Sequence, residues 1–283
     1  LAEKTAKAVT GSVEEWTGFL QSAARLYKYS YPEQLLIYVQ RPEATACASY
    51  EIWNQTMRRY VRRGAKGIAL LDGAGAVRYV FDVADTGARK SSREVKTWAL
   101  DENNREAVAH ALETQYGSAA KLGSAGQLEE IAMQQSMDYW QWHQDELRGI
   151  VDGSFLEGYD ELNLEIAFRN TAAASVKYML LSRCNLAREY QIEPEELAGV
   201  LEWNTSAASG ALGSAVSELS EGVLRQIERT IRQYERSQNH DERTDVHEER
   251  RVLDSRPDSS RTADGAEQIR KDAGAVSEGA SDD

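Results

Sequence analysis

The sequence predicts an α+β fold: N-terminal helices and a small antiparallel sheet or hairpin, then an all-helical region and a disordered acidic tail. Apolar residues follow a helical period at first, form short runs between residues 60 and 83, and return to a helical period afterwards. Charge is uneven, since residues 1–100 hold 15 Lys and Arg against 10 Asp and Glu, a net of +5, and the remainder holds 18 against 36, a net of −18. The predicted parts are a basic domain, 1–98, an acidic helical region, 99–238, and a tail, 239–283.

The first part contains two helix starts with a defined chemical signature. Ser12 and Ser30 are each followed three residues later by glutamate, which is the capping-box spacing that satisfies free N–H groups at a helix N-terminus. Pro42 then predicts the end of the second helix. A third helix is predicted from Cys47 to about Met57.

Short apolar runs predict the sheet that follows. Residues 60–61, 68–71 and 76–83 are rich in Val, Ile, Leu, Tyr and Phe, as strands are. Asp72-Gly73-Ala74-Gly75 lies between two of these runs and has the residues of a tight hairpin turn.

The helical region is predicted to hold helices at 101–116, 128–143 and 162–186, a short helix beginning at 193, and a long last helix. In that last helix, apolar residues recur every three or four positions from Leu212 to Tyr234. Two interpretations remain open: the stripe packs on its own domain, which is favoured, or it binds a protein partner. From about residue 239, polar and charged residues dominate, and this composition predicts disorder.

No catalytic, metal or cofactor motif is present, so the chain is predicted not to be an enzyme. His247-Glu248-Glu249-Arg250-Arg251 lacks the second histidine of a zinc-protease helix, and Gly64-Ala65-Lys66-Gly67 lacks the spacing of a phosphate-binding loop. Cys47 and Cys184 are distant from each other in sequence and are predicted to be buried thiols in a reducing cytoplasm. The sequence contains no apolar run of about 18 residues, so no membrane span is predicted. The first residue is Leu, which suggests the interior of a longer reading frame.

The strongest functional signal is a stretch of five cations within nine residues: Arg58, Arg59, Arg62, Arg63 and Lys66. Lys and Arg attract phosphates, and neighbouring aromatic rings (Trp53 and Tyr60) offer surfaces on which unpaired bases stack. Arg78 extends this patch if the hairpin brings it onto the same face, as do the cations of residues 89–96. The residues support a second interpretation equally, in which these arginines pair with acidic groups of the C-terminal region.

Three segments, in order, resemble the N-terminal domain of ArdC-type antirestriction proteins. They are Trp16 to Tyr38 with Trp53, the turn Val61-Arg62-Arg63-Gly64-Ala65-Lys66-Gly67-Ile68, and the strand Tyr79-Val80-Phe81-Asp82-Val83-Ala84-Asp85-Thr86. The family's domain binds single-stranded DNA. The resemblance therefore implies that the cations contact phosphates and that Trp53 and Tyr60 stack on bases.

The helical region is similar, at residues 176–184 and 228–232, to very large proteins of conjugative elements. Those proteins carry an ArdC-like front, this helical segment, and then helicase and sometimes DNA-methylase domains. The H-E-x-x-H peptidase motif of ArdC proteins is missing here. The resemblance implies a non-catalytic accessory module of a mobile-element protein. The alternative is a protein-interaction scaffold, or a mimic of DNA charge, that uses the acidic helical region.

Overall fold

The computed structural model describes residues 2–72, 75–186 and 193–254, with side chains among residues 4–238. The chain divides into two units, Leu1–Arg236 and Ser237–Asp283. The helices are α1 (Ala2–Val9), α2 (Val13–Arg25), α3 (Tyr31–Gln40), α4 (Arg105–Tyr116), α5 (Gly123–Ile150), α6 (Glu161–Arg183) and α7 (Ser206–Asp254). The strands are β1 (Cys47–Ser49), β2 (Tyr60–Val61), β3 (Ile68–Leu71), β4 (Val77–Asp82) and β5 (Thr86–Gly87). The predicted α+β class is confirmed.

Side-chain caps begin α2 and α3 as the sequence predicts. The Ser12 hydroxyl accepts from the Glu15 backbone N–H at 3.1 Å, and the Glu33 carboxylate accepts from the Ser30 backbone N–H at 3.1 Å. Each bond satisfies a backbone group that has no partner inside the helix.

The sheet has three antiparallel strands in the order β1-β4-β3, and β2 pairs separately with β5. Two backbone bonds close the β3–β4 hairpin, from Asp72 to Ala76 and from Gly75 to Asp72, both 2.9 Å. The helix predicted at 47–57 is confirmed only in its second part. Residues 47–49 form β1 and pair with residues 80–82 of β4, and residues 50–56 are helical, with a π-helical turn at Ile52–Thr56. Pairing with a distant strand outweighs local helical spacing here.

The N-terminal helices and the helical region share one hydrophobic core. Trp16 of α2 is fully buried, and its indole N–H donates to the Ser175 hydroxyl of α6 at 3.0 Å. Tyr31 of α3 packs so closely on α7 that a Cβ built on Gly213 would lie 2.1 Å from the tyrosine ring. The boundary predicted at residues 98–99 therefore runs through this core.

A buried carboxylate joins the segment between α2 and α3 to α7. Glu228 is 7% exposed, and it accepts from the Tyr27 hydroxyl at 2.5 Å, from Lys28 Nζ at 2.6 Å and from Arg232 at 2.7 Å. Burial alone would raise the pKa of Glu228, but the hydrogen bonds from Lys28, Tyr27 and Arg232 prevail and lower this pKa to about 2. The carboxylate is therefore an ionised part of the folded core at neutral pH.

The apolar stripe of α7 packs inside its own unit. Leu212, Val216, Val223, Ile227 and Ile231 are each at most 1% exposed. The interpretation in which the Leu212–Tyr234 helix offers this stripe to a protein partner is therefore wrong, because the core already covers it. Helix α7 extends to Asp254, past the boundary predicted at residue 239. The rest of the predicted tail, 255–283, lies outside the described residues.

Candidate nucleic-acid interface

The cationic stretch forms strand β2 and a tight turn. The Arg62 backbone N–H donates to the Asp85 carbonyl at 2.8 Å, which attaches the end of β2 to the chain before β5. The Ala65 N–H then donates to the Arg62 carbonyl at 3.1 Å, with Gly64 at φ 85°. This positive φ at the third position is typical of a type II turn, in which glycine avoids steric strain. Arg63 consequently lies at the corner of the turn.

Four of the predicted cations are exposed: Arg58, Arg62, Arg63 and Lys66. Arg59 is half-buried, and its Nε–H donates to the Thr86 hydroxyl at 2.8 Å. The Arg62 guanidinium donates to the neutral Ala84 carbonyl at 3.2 Å. Within the part of the chain that the structure describes, none of these five cations forms an ion pair. Internal pairing with the acidic C-terminal region, the second interpretation of this stretch, is thus not found among those residues.

Tyr60 lies beside the cations and presents its ring at the surface. It is 41% exposed, and the Arg89 guanidinium lies 5.5 Å from the centre of its ring. The ring also covers Gly87 of the paired strand, where an added Cβ would lie 2.3 Å from the tyrosine. Glycine at position 87 therefore lets the Tyr60 ring lie flat against the β2–β5 pair.

Two predicted site residues have other roles. Trp53 is only 3% exposed, and its indole N–H donates to the Phe81 carbonyl at 2.8 Å. Its ring belongs to the interior and offers no stacking surface. Arg78 forms an ion pair with Glu33 of α3. Arg78 alternates with Tyr79 along β4 and also contributes to the lining of a cleft beside Tyr79, and its pairing with Glu33 sets it apart from the unpaired cations of the turn.

Residues 82–86 form a fixed segment next to the cationic stretch. Asp82 is buried, and its carboxylate accepts from the backbone N–H groups of Thr45, Ala46 and Ala84 at 2.7, 3.0 and 2.9 Å. Asp85 pairs with Arg41. These acidic groups are thus already occupied by the fold, and the Asp and Thr of this segment act as scaffold.

The sequence-based prediction missed an aromatic cleft of about 660 Å³ on the outer face of the sheet. It is lined by Ser49, Tyr50, Glu51, Ala65, Gly67, Arg78, Tyr79 and Phe81. Tyr79 is 57% exposed, and Tyr50 is also exposed. Val77, Tyr79 and Phe81 share one face of β4 by strand alternation, but the opposite face carries the equally apolar Val80, so this signal needs the structure to be interpreted.

The described residues give little support for a metal site, a reactive cysteine or a membrane span. No group of three or more His, Cys, Asp or Glu side chains is arranged there to hold a metal ion. Cys47 and Cys184 are free thiols, half-buried and buried, and desolvation raises the pKa of each to about 12. Among the helices described, none combines the length and apolar character needed to cross a membrane.

Comparisons with protein-family models, with curated proteins and with solved structures found no match for this chain. The likeness to ArdC-type domains therefore stays a prediction from the sequence motifs.

Proposed function

We propose that this chain is a single-stranded DNA-binding accessory module, without catalytic activity of its own, that needs no cofactor. The observation that carries the proposal is the turn at residues 62–66, where exposed cations project without carboxylate partners among the described residues. Cations in that state are available to phosphates, since no internal ion pair has to be broken first.

Unpaired strands suit this surface better than duplex DNA. The exposed ring of Tyr60 lies next to the cations, and a base presents its flat face to such a ring only when it is unpaired. A duplex would offer phosphates to the same cations but would leave the ring without a partner. The surface therefore favours single-stranded over double-stranded DNA.

The wider role rests on the sequence resemblance. An ArdC-like front followed by the helical region suits a protein of a conjugative element that acts in the cytoplasm, with an antirestriction-related role or in association with a helicase. The scaffold hypothesis has less support, because the α7 stripe that would have bound a partner is covered by the protein's own core.

The test is a fluorescence-anisotropy titration of the full chain with a labelled single-stranded oligonucleotide at several salt concentrations. Four exposed cations contacting phosphates predict a slope of about −3 for log K against log salt, at about −0.7 for each neutralised phosphate. The double reversal Arg62→Glu/Arg63→Glu should lower affinity more than 100-fold, because two attractions become two repulsions.

The matched control is Lys4→Glu/Lys7→Glu, which changes the net charge equally on exposed residues of α1. It should alter affinity less than about threefold, since it leaves the turn intact. Absence of binding by the unmodified chain at low salt would refute the proposal. Equal losses in the two double variants would show a response to net charge alone and would refute the role of the turn.

A further inference from the structure

We propose that the aromatic cleft on the outer face of the sheet binds an unpaired base of the same DNA strand whose phosphates contact the cationic turn. This inference rests on the proposed function and adds a second subsite to it, with its own residues. The ring of Tyr79 is the stacking surface, and Tyr50 and Phe81 form the remaining aromatic walls.

Strand geometry explains why the rings face outward. Tyr79 and Phe81 are two residues apart on β4 and so share one face, whereas Val80 between them is buried in the core. Gly67 keeps the space in front of the rings open. A Cβ at position 67 would lie 3.0 Å from the Tyr79 ring and 3.3 Å from the Phe81 ring. The cleft therefore depends on glycine at this position.

The cationic turn forms one wall of the cleft. Ala65 and Gly67 both line it, the exposed Lys66 lies between them in sequence, and Arg63 lies two residues before Ala65. A DNA strand whose phosphates contact Arg63 and Lys66 would place its next base on the ring of Tyr79. The volume, about 660 Å³, falls in the range of sites that bind small organic groups.

The charges beside the cleft favour a nucleotide as its ligand. The Glu51 carboxylate lines the cleft, and its own backbone N–H and the Ser49 hydroxyl lower its pKa, so it is an anion. A nucleotide entering this cleft meets the aromatic rings, the neighbouring cations of the turn and the negatively charged Glu51. Its phosphate is then directed to the side of Lys66. An apolar protein segment would match the rings alone.

The experiment compares two labelled oligonucleotides of equal length, one with bases and one built of abasic sites with the same phosphates. The unmodified chain should bind the base-containing strand about 5- to 100-fold more tightly, which is the usual effect of one stacked base. Tyr79→Leu should remove most of this difference, and Gly67→Ala should reduce it. Both variants should keep the salt dependence of the unmodified chain, because no phosphate contact is lost.

Tyr159→Leu is the control, since Tyr159 is an exposed tyrosine outside the cleft, before α6. It should keep the preference for bases. Tyr79 is itself more than half exposed, so circular dichroism should show that Tyr79→Leu folds normally.

The outcomes separate the two proposals. Equal binding of both oligonucleotides by the unmodified chain overturns the cleft and leaves the cationic turn intact. Failure to bind either one overturns both. A preference for bases that survives Tyr79→Leu also overturns the cleft. A dimer in light scattering that Tyr79→Leu converts to a monomer would show that a second copy covers this face, and would overturn the proposal as well.

Discussion

Charged residues in the helical core and in the cationic turn of residues 62–66 have opposite environments. Glu228 and Lys177 are each at most 7% exposed, and both are held by groups of opposite charge. Arg63 and Lys66 are exposed and have no ion-pair partner among the described residues. The same residue types thus contribute to folding in one region and remain available for a ligand in the other.

The reason is the cost of desolvation. A buried charge destabilises the fold unless other groups hydrogen-bond to it, so the charges of the core have partners within the chain. An exposed arginine loses no hydration and needs no partner. Substitutions in the core should therefore change stability and spare DNA affinity, and substitutions in the turn should do the reverse.

The largest expected effect on stability is in the core, at Gly213. In Gly213→Ala the new methyl group would overlap the ring of Tyr31, which is buried and cannot swing into solvent. We expect a loss of about 3 kcal/mol in the free energy of unfolding, typical of an overpacked core, as measured by urea denaturation. Gly222→Ala on the same helix is the matched control. Nothing lies within 4 Å of its added Cβ, and it should stabilise α7 by up to about 1 kcal/mol. Equal effects of the two variants would contradict the close α3–α7 contact.

The second effect is a pH dependence that Glu228 confers. Its pKa in the folded state, about 2, lies below the value of about 4.3 for an unfolded glutamate. Its contribution to stability is therefore complete above about pH 4.5 and is lost as the pH falls toward 2. In Glu228→Gln we expect a loss of about 2 kcal/mol at pH 7 that shrinks by pH 3. The same loss at both pH values would contradict a low pKa for this carboxyl.

Local patterns were sufficient to predict much of the fold. The capped starts of α2 and α3, strands β2 and β3 and the hairpin follow from residues close in sequence. β1 was not predictable in this way, because it exists through pairing with β4 more than 30 residues later. Helical spacing at 47–57 therefore predicted the helical residues 50–56 and missed the strand before them.

The candidate site was predictable only in its charges. Exposed cations follow from composition, but the burial of Trp53 and the pairing of Arg78 with Glu33 depend on contacts across the fold. The aromatic cleft was hidden for a different reason. Both faces of β4 carry apolar residues, Val80 on one and Tyr79 on the other, so alternation alone did not identify the outer face.

The smallest expected effect is on DNA affinity, and it compares an unpaired arginine with a paired one, both within residues 1–98. Arg63→Gln should weaken binding to a single-stranded oligonucleotide several-fold and reduce the salt slope by about one phosphate contact. Arg78→Gln removes the same charge from a residue that is already paired with Glu33, so affinity should change less than twofold. Salt-dependent anisotropy titrations measure both. A reduced salt slope in Arg78→Gln would mean that this arginine leaves Glu33 to contact phosphate, and the division between charges used by the fold and charges left for DNA would then fail at this position.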